Sequence, residues 1–164
     1  MKALMKVALI PFLVIGLAAS PSFAQGKKIA TQDLPAAVAA AFKASYPNAE
    51  MKGAASELVD GATYYRIESR DGKVKRGLLY TKEGKVFEVE ETLAADALPA
   101  AVKQALAKAY PKGTIKIAAR TTRGKAVTYD AKVRSEGRVL QVRLDEKGVV
   151  LDTKEIKKKK RNQD

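Results

Sequence analysis

No cysteine, histidine or tryptophan occurs among the 164 residues. The first absence removes disulfides, thiol nucleophiles and thiolate metal sites together. The second removes the commonest general base and neutral metal ligand. No serine lies in a Gly-x-Ser-x-Gly elbow, and the phosphate-cradling Gly-x-x-x-x-Gly-Lys spacing is missing. Only four Phe and six Tyr are present, too few to interleave with the cations and stack bases, so nucleic acid is disfavoured as a partner. These gaps point to a non-enzymatic protein with no catalytic residues, no cofactor and no metal site. The densest carboxylate group is Glu88, Glu90 and Glu91, beside Asp96. On a strand Glu88 and Glu90 share one face about 7 Å apart, whereas calcium draws six or more oxygens. An exposed strand face, with Val86, Phe87 and Val89 supplying the buried side, is the expectation.

What the chain does contain, it contains twice. Leu34-Pro35-Ala36-Ala37-Val38 returns as Leu98-Pro99-Ala100-Ala101-Val102, and Tyr46-Pro47 returns as Tyr110-Pro111. One offset relates both pairs, and it also relates Tyr65 to Tyr129, Gly84 to Gly148 and Glu91 to Glu155. A register kept from head to tail marks two copies of one module.

Each copy opens with a helical pattern. Leu34, Val38, Ala41, Phe42 and Tyr46 in the first, and Leu98, Val102, Ala105, Leu106 and Tyr110 in the second, draw one apolar stripe at 3.6 residues per turn. Asp33 and Asp96 sit where a capping or dipole-facing carboxylate belongs, Pro35 and Pro99 fit a first turn, and Pro47 and Pro111 end the helices. The period then falls to 2. Val127, Tyr129, Ala131 and Val133 alternate with polar neighbours, as do Leu140, Val142 and Leu144. Asp71-Gly72, Glu83-Gly84, Glu136-Gly137 and Lys147-Gly148 supply tight turns between antiparallel neighbours. The opening strand of the first copy, near 49–58, is weakly patterned, and the faces of Lys73 to Tyr80 do not resolve. The predicted fold class is α+β, with two repeated units over 32–92 and 96–155. Each is one helix packed on an antiparallel sheet of about four strands.

A duplicated helix-plus-four-strand unit opened by Leu-Pro-x-x-Val, closed by Tyr-Pro and followed by glycine hairpins resembles the PepSY-like family. That family is named for its likeness to beta-lactamase inhibitory protein, itself a tandem of such units. The resemblance implies exported proteins whose sheet faces bind other proteins, and it implies no catalytic residues. Beta-lactamase inhibition is not carried over, because the inhibitor's disulfides and aromatic-rich interface have no counterpart here.

The termini carry their own signals. Lys2 and Lys6, an apolar run over 7–19, and Ser22-Phe23-Ala24 fit a signal peptide over 1–24 cleaved near Ala24. The run is short of the roughly 20 residues of a spanning helix, so no transmembrane segment is expected in the mature chain. A periplasmic or secreted location follows. Residues 156–164 read as a basic disordered tail containing Lys157, Lys158, Lys159, Lys160 and Arg161.

Charge separates the copies. Residues 34–97 hold nine Lys or Arg against ten Asp or Glu, while 98–155 hold thirteen against six. Strict alternation turns Lys116, Lys132, Arg134 and Arg143 outward onto one face of the second sheet, with Gln141 among them. The leading expectation is an inhibitor-like binding module docking an acidic protein partner there. The alternative is an anionic envelope polymer or surface gripped by that face together with the tail.

Overall fold

The computed structural model describes residues 26–156. The proposed signal peptide and lysine tail lie outside the described residues. In chain order, β1 (Lys27–Ile29) leads through a 3-10 turn into α1 (Ala36–Ser45), followed by β2 (Glu50–Val59), β3 (Ala62–Asp71), β4 (Val74–Tyr80) and β5 (Val86–Leu93). A second 3-10 turn leads into α2 (Ala100–Ala109), then β6 (Thr114–Arg123), β7 (Ala126–Ser135), β8 (Arg138–Asp145) and β9 (Val150–Glu155). No helix among the described residues is long and apolar enough to cross a membrane.

Both helices end on the tyrosine before the proline. Tyr46 N–H donates to the Phe42 carbonyl and Tyr110 N–H to the Leu106 carbonyl, at 2.8 and 2.9 Å. Their starts differ from expectation. Pro35 and Pro99 are the capping residues themselves, and no side chain caps either helix. Asp33 and Asp96 belong to the preceding 3-10 turns. A proline at that position has no N–H to leave orphaned, and its φ is already fixed near the value the entry needs.

The expectation of two helix-on-sheet units of about four strands each is wrong. All nine strands form one continuous antiparallel sheet in the order β1 to β9. The join is β5 on β6, five register pairs from Val89↔Thr122 to Leu93↔Ala118. Period-2 patterning fixes a strand's faces and its hairpin partners, but it is silent on which edge of one hairpin set meets another. An unpaired edge leaves N–H and C=O groups open, and β5 and β6 close theirs on each other.

Both helices lie on one face of this sheet. Leu34, Val38 and Phe42 pack on Ala54, Ile67, Leu78 and Tyr80, while Leu98, Val102 and Leu106 pack on Ala118, Tyr129, Val133, Val142 and Leu144. Val89 touches the first cluster and Leu93 the second, so β5 floors both. Between them Glu91 accepts from Arg76 Nε at 2.7 Å and Arg120 Nη2 at 3.1 Å. Arg76 also lies over the Tyr46 ring, 5.1 Å from its centroid. Beneath α1 the buried Tyr80 hydroxyl has no hydrogen-bond partner among the described residues, and burial, reinforced by Tyr46, pushes its pKa up to about 12.

The turns before β5 and β9 hold the helices to the sheet. Gly84 and Gly148 have φ of +79° and +81°, and a Cβ there would lie 2.5 Å from the Ala37 carbonyl oxygen and 2.6 Å from that of Ala101. Gly137 also has positive φ but open space around it. Gly137→Ala should therefore cost only the left-handed strain of about 1–2 kcal/mol. Gly148→Ala should cost clearly more, because helix backbone blocks the added methyl. Leu106→Ala should cost about 2–5 kcal/mol. Urea unfolding of the three variants checks the order.

Candidate functional site

The face opposite the helices is open, and charged side chains cross it in sequence. Arg66 on β3 grips Glu57 on β2 through both carboxylate oxygens, with the Nη2–Oε2 contact at 3.2 Å and Nε on Oε1. Gly77 stands next to it on β4, where a Cβ would come within 2.9 Å of Arg66 Nη1 and 4.0 Å of Glu90 Cβ. The missing side chain thus leaves the Arg66 guanidinium room to lie across β4 toward Glu90 on β5. Farther on, Arg143 Nε on β8 donates to both oxygens of Asp130 on β7, at 3.1 and 3.2 Å. Gln141 Nε2 donates to the same carboxylate at 3.3 Å.

The β5–β6 join creates a groove of about 440 Å³ along this face. Ala119, Thr121, Ala126 and Thr128 are small residues of β6 and β7 along it, and longer side chains such as Glu88, Glu90, Arg123, Asp130, Lys132 and Arg143 complete its lining. Glu88 is 6% exposed and is neutralised by Arg123, whose Nη2 lies 2.6 Å away. Arg123 also stacks over the Phe87 ring at 4.9 Å, and Phe87 meets Tyr64 at 4.3 Å between centroids.

Glu90 is the uncomfortable group. Burial raises its pKa above the usual carboxylate range; Asp130 and Glu88 push the same way, and Arg66 and Arg143 only partly oppose them. Glu88 and Glu90 do share a face, as alternation requires, but it is a groove wall with a buried carboxylate and not an exposed strand face. Glu91 points to the helix side. Neither Val86, which is 51% exposed, nor Phe87 joins Val89 in the buried side, because a bulge in the β4–β5 pairing at Leu79/Tyr80 shifts the alternation there. Among the described residues no group of three or more Asp or Glu could hold a metal ion.

The four cations singled out from the sequence are not equivalent. Lys132 lines the groove beside Gln141 and Arg143. Arg134 is exposed two residues along the same strand, paired in register with Thr114 and Val139. Neither has a salt-bridge partner among the described residues. Arg143 is compensated by Asp130, whose side chain is 15% exposed, so a carboxylate lies among the cations of this face. Lys116 falls in a bulge between Ile115 and Ile117. The bulge turns Ile117 out to 50% exposure on the groove and takes Lys116 out of its lining. Glu57, Arg66, Arg123 and Asp130 were missed, since each matters only through a partner on another strand.

The family model described as beta-lactamase-inhibitor-like, PepSY-like matches residues 23–88 and 63–152. No curated protein matches the chain. Among solved structures, a Bacteroides eggerthii protein provisionally assigned to the periplasm superposes with a TM-score of 0.61 at 23% identity, covering 74% of this chain and 88% of its own. A DUF2874 family protein from Bacteroides uniformis gives 0.60 at 21% identity, with 74% and 88% covered. A BLIP-like protein from Bacteroides fragilis gives 0.56 at 18% identity, with 77% and 89% covered. At these identities the likeness is one of fold.

The charge state of Glu90 provides a test of the groove's electrostatics. A carboxyl whose pKa is raised on folding costs stability above that pKa, and the cost disappears below the unfolded-state value of about 4.3. Glu90→Gln should therefore raise the melting temperature at neutral pH, and the gain should fade on acidification toward pH about 4. Paired thermal melts at the two pH values check it.

Proposed function

The chain belongs to the beta-lactamase-inhibitor-like, PepSY-like family, and from that premise we propose that it is an exported, non-enzymatic binding module of the inhibitor-like kind. It docks an acidic protein partner on the open face of its sheet, at the β7–β8 end of the groove. The observation that carries this reading is the contrast along that face. From β2 to β6 the cations Arg66 and Arg123 are matched by Glu57 and Glu88, whereas Lys132 and Arg134 stand together on β7 with no salt bridge among the described residues. Arg143, whose Nε donates to both oxygens of Asp130, lies beside them. The periplasmic description of one structural relative and the inhibitor-like description of another support export and protein binding.

Cations at the rim of an interface act mainly on encounter and its salt dependence. Lys132→Glu together with Arg134→Glu removes them without touching either core, and exposed charges contribute little to stability. The double variant should keep its melting temperature and lose about tenfold or more in on-rate for an acidic partner captured from envelope extract at low salt. Its residual binding should depend less on salt. Equal capture and equal salt response by wild type and variant would overturn the reading. Removing Lys157 to Arg161 separates the alternative, because docking of a protein on the sheet survives that deletion and binding of an anionic envelope polymer weakens.

A further inference from the structure

The sheet has two ends, and they are built differently. β1 is three residues long and carries Lys27 and Lys28, which blunts that edge by shortness and charge. β9 at the other end is six residues long, holds no proline, and among the described residues pairs on one side only. Apolar side chains cluster around it. Val149, Val150, Leu151 and Ile156 are 55, 46, 44 and 37% exposed.

The direction of its backbone groups is fixed. Ile156 N–H donates to the Val139 carbonyl at 2.8 Å, toward β8. In an extended strand that direction alternates, so Thr153 and Glu155 present their N–H and C=O to the free edge. Asp152 and Lys154 are in register with Arg143 and Gln141, which places both on the open face. Within the chain they meet at 3.3 Å.

We infer that β9 pairs antiparallel with β9 of a second copy about a two-fold axis through Thr153. That axis makes Thr153 its own opposite number, and the two residues exchange N–H···O=C bonds through the groups already facing outward. It sets Asp152 of each copy directly against Lys154 of the other on the open face, two cross-strand pairs of opposite charge. Regular pairing runs from Asp152 to Ile156, and Ile156 of each copy comes toward the Val150–Leu151 bulge of the other, covering apolar side chains at both ends of the strand. Isologous pairing of this kind closes on itself and does not propagate into a fibre.

Sedimentation of the chain as exported, from micromolar to near-millimolar concentration, reads the association. Wild type should reach twice the monomer mass. Thr153→Pro removes an N–H that β8 does not use, and Lys154→Asp sets acid against acid; both should stay monomeric with unchanged circular dichroism. Exchanging the two charges, Asp152→Lys with Lys154→Asp, restores the complementarity and should restore the dimer. Thr153→Cys gives the register, because the chain has no other cysteine. Opposed Cα atoms in a hydrogen-bonded pair lie about 5.5 Å apart, within disulfide range. It should cross-link into a covalent dimer on oxidation, and Glu155→Cys should not. A monomeric wild type at every concentration, a dimer untouched by Thr153→Pro and Lys154→Asp, or cross-linking at Glu155→Cys alone would overturn the inference.

Discussion

Five register pairs between β5 and β6 decide the character of this protein. Without them the chain would be two small helix-capped sheets, each with an exposed edge. With them, Val89 and Leu93 of one strand floor two separate apolar clusters, and α1 and α2 must lie on the same face. The joined sheet has consequences on both of its sides. On the helix side the gap between the clusters is filled by Glu91, which two arginines from different strands hold in place. On the open side Glu88 and Glu90 come opposite β6, where Thr121 and Ala119 leave space, and the groove opens.

The open face is polar because nothing covers it, yet its charges are not placed as a soluble surface needs. A solvated ion pair adds little. Here Arg66 and Glu57 have side chains 12 and 9% exposed, and the Glu88 side chain is 7% exposed. Desolvating such groups costs more than their attraction returns unless geometry is good, and the bidentate Arg66–Glu57 grip supplies that geometry. Glu90 has no equivalent grip. Its raised pKa records a carboxylate held where folding would prefer a neutral group. Folds tolerate such local conflict most often at sites of function.

Much of this architecture is legible in the sequence because it rests on local chemistry. The 3.6-period stripe that ends at Tyr-Pro gives both helices, and Leu34, Val38, Phe42, Leu98, Val102 and Leu106 are all buried. Turn glycines bound the hairpins. What is not legible is of another kind. β1 is three residues long and gains its structure only by pairing with β2. The bulges at Leu79/Tyr80 and Ile115/Ile117 each break the strict alternation on which face assignments rest, so Phe87 leaves the buried side and Ile117 turns out to the groove. The β5–β6 join depends on two edges far apart in sequence, and with it went any foresight of the groove. Lys132 and Arg143 line the groove, on the side that period-2 alternation gives them. The compensation of Arg143 by Asp130 was still missed, although both residues alternate to the same side of neighbouring strands.

The two proposed interactions fall on different parts of the sheet, one on its face and one on its edge, so one does not block the other. They also reinforce each other geometrically. A two-fold axis normal to the sheet at Thr153 leaves both open faces on the same side. The Lys132–Arg134 patch of each copy would lie two strands from the join, so the two patches would be separated by five strand spacings, about 24 Å before twist. Two cationic patches at a fixed separation favour a partner that offers two acidic segments, because the second contact then forms at a high effective concentration. A single short acidic ligand would gain nothing from the pairing. Dimerisation at β9 would thus act on selectivity for extended or repeated acidic surfaces, while the groove of each copy keeps its own chemistry.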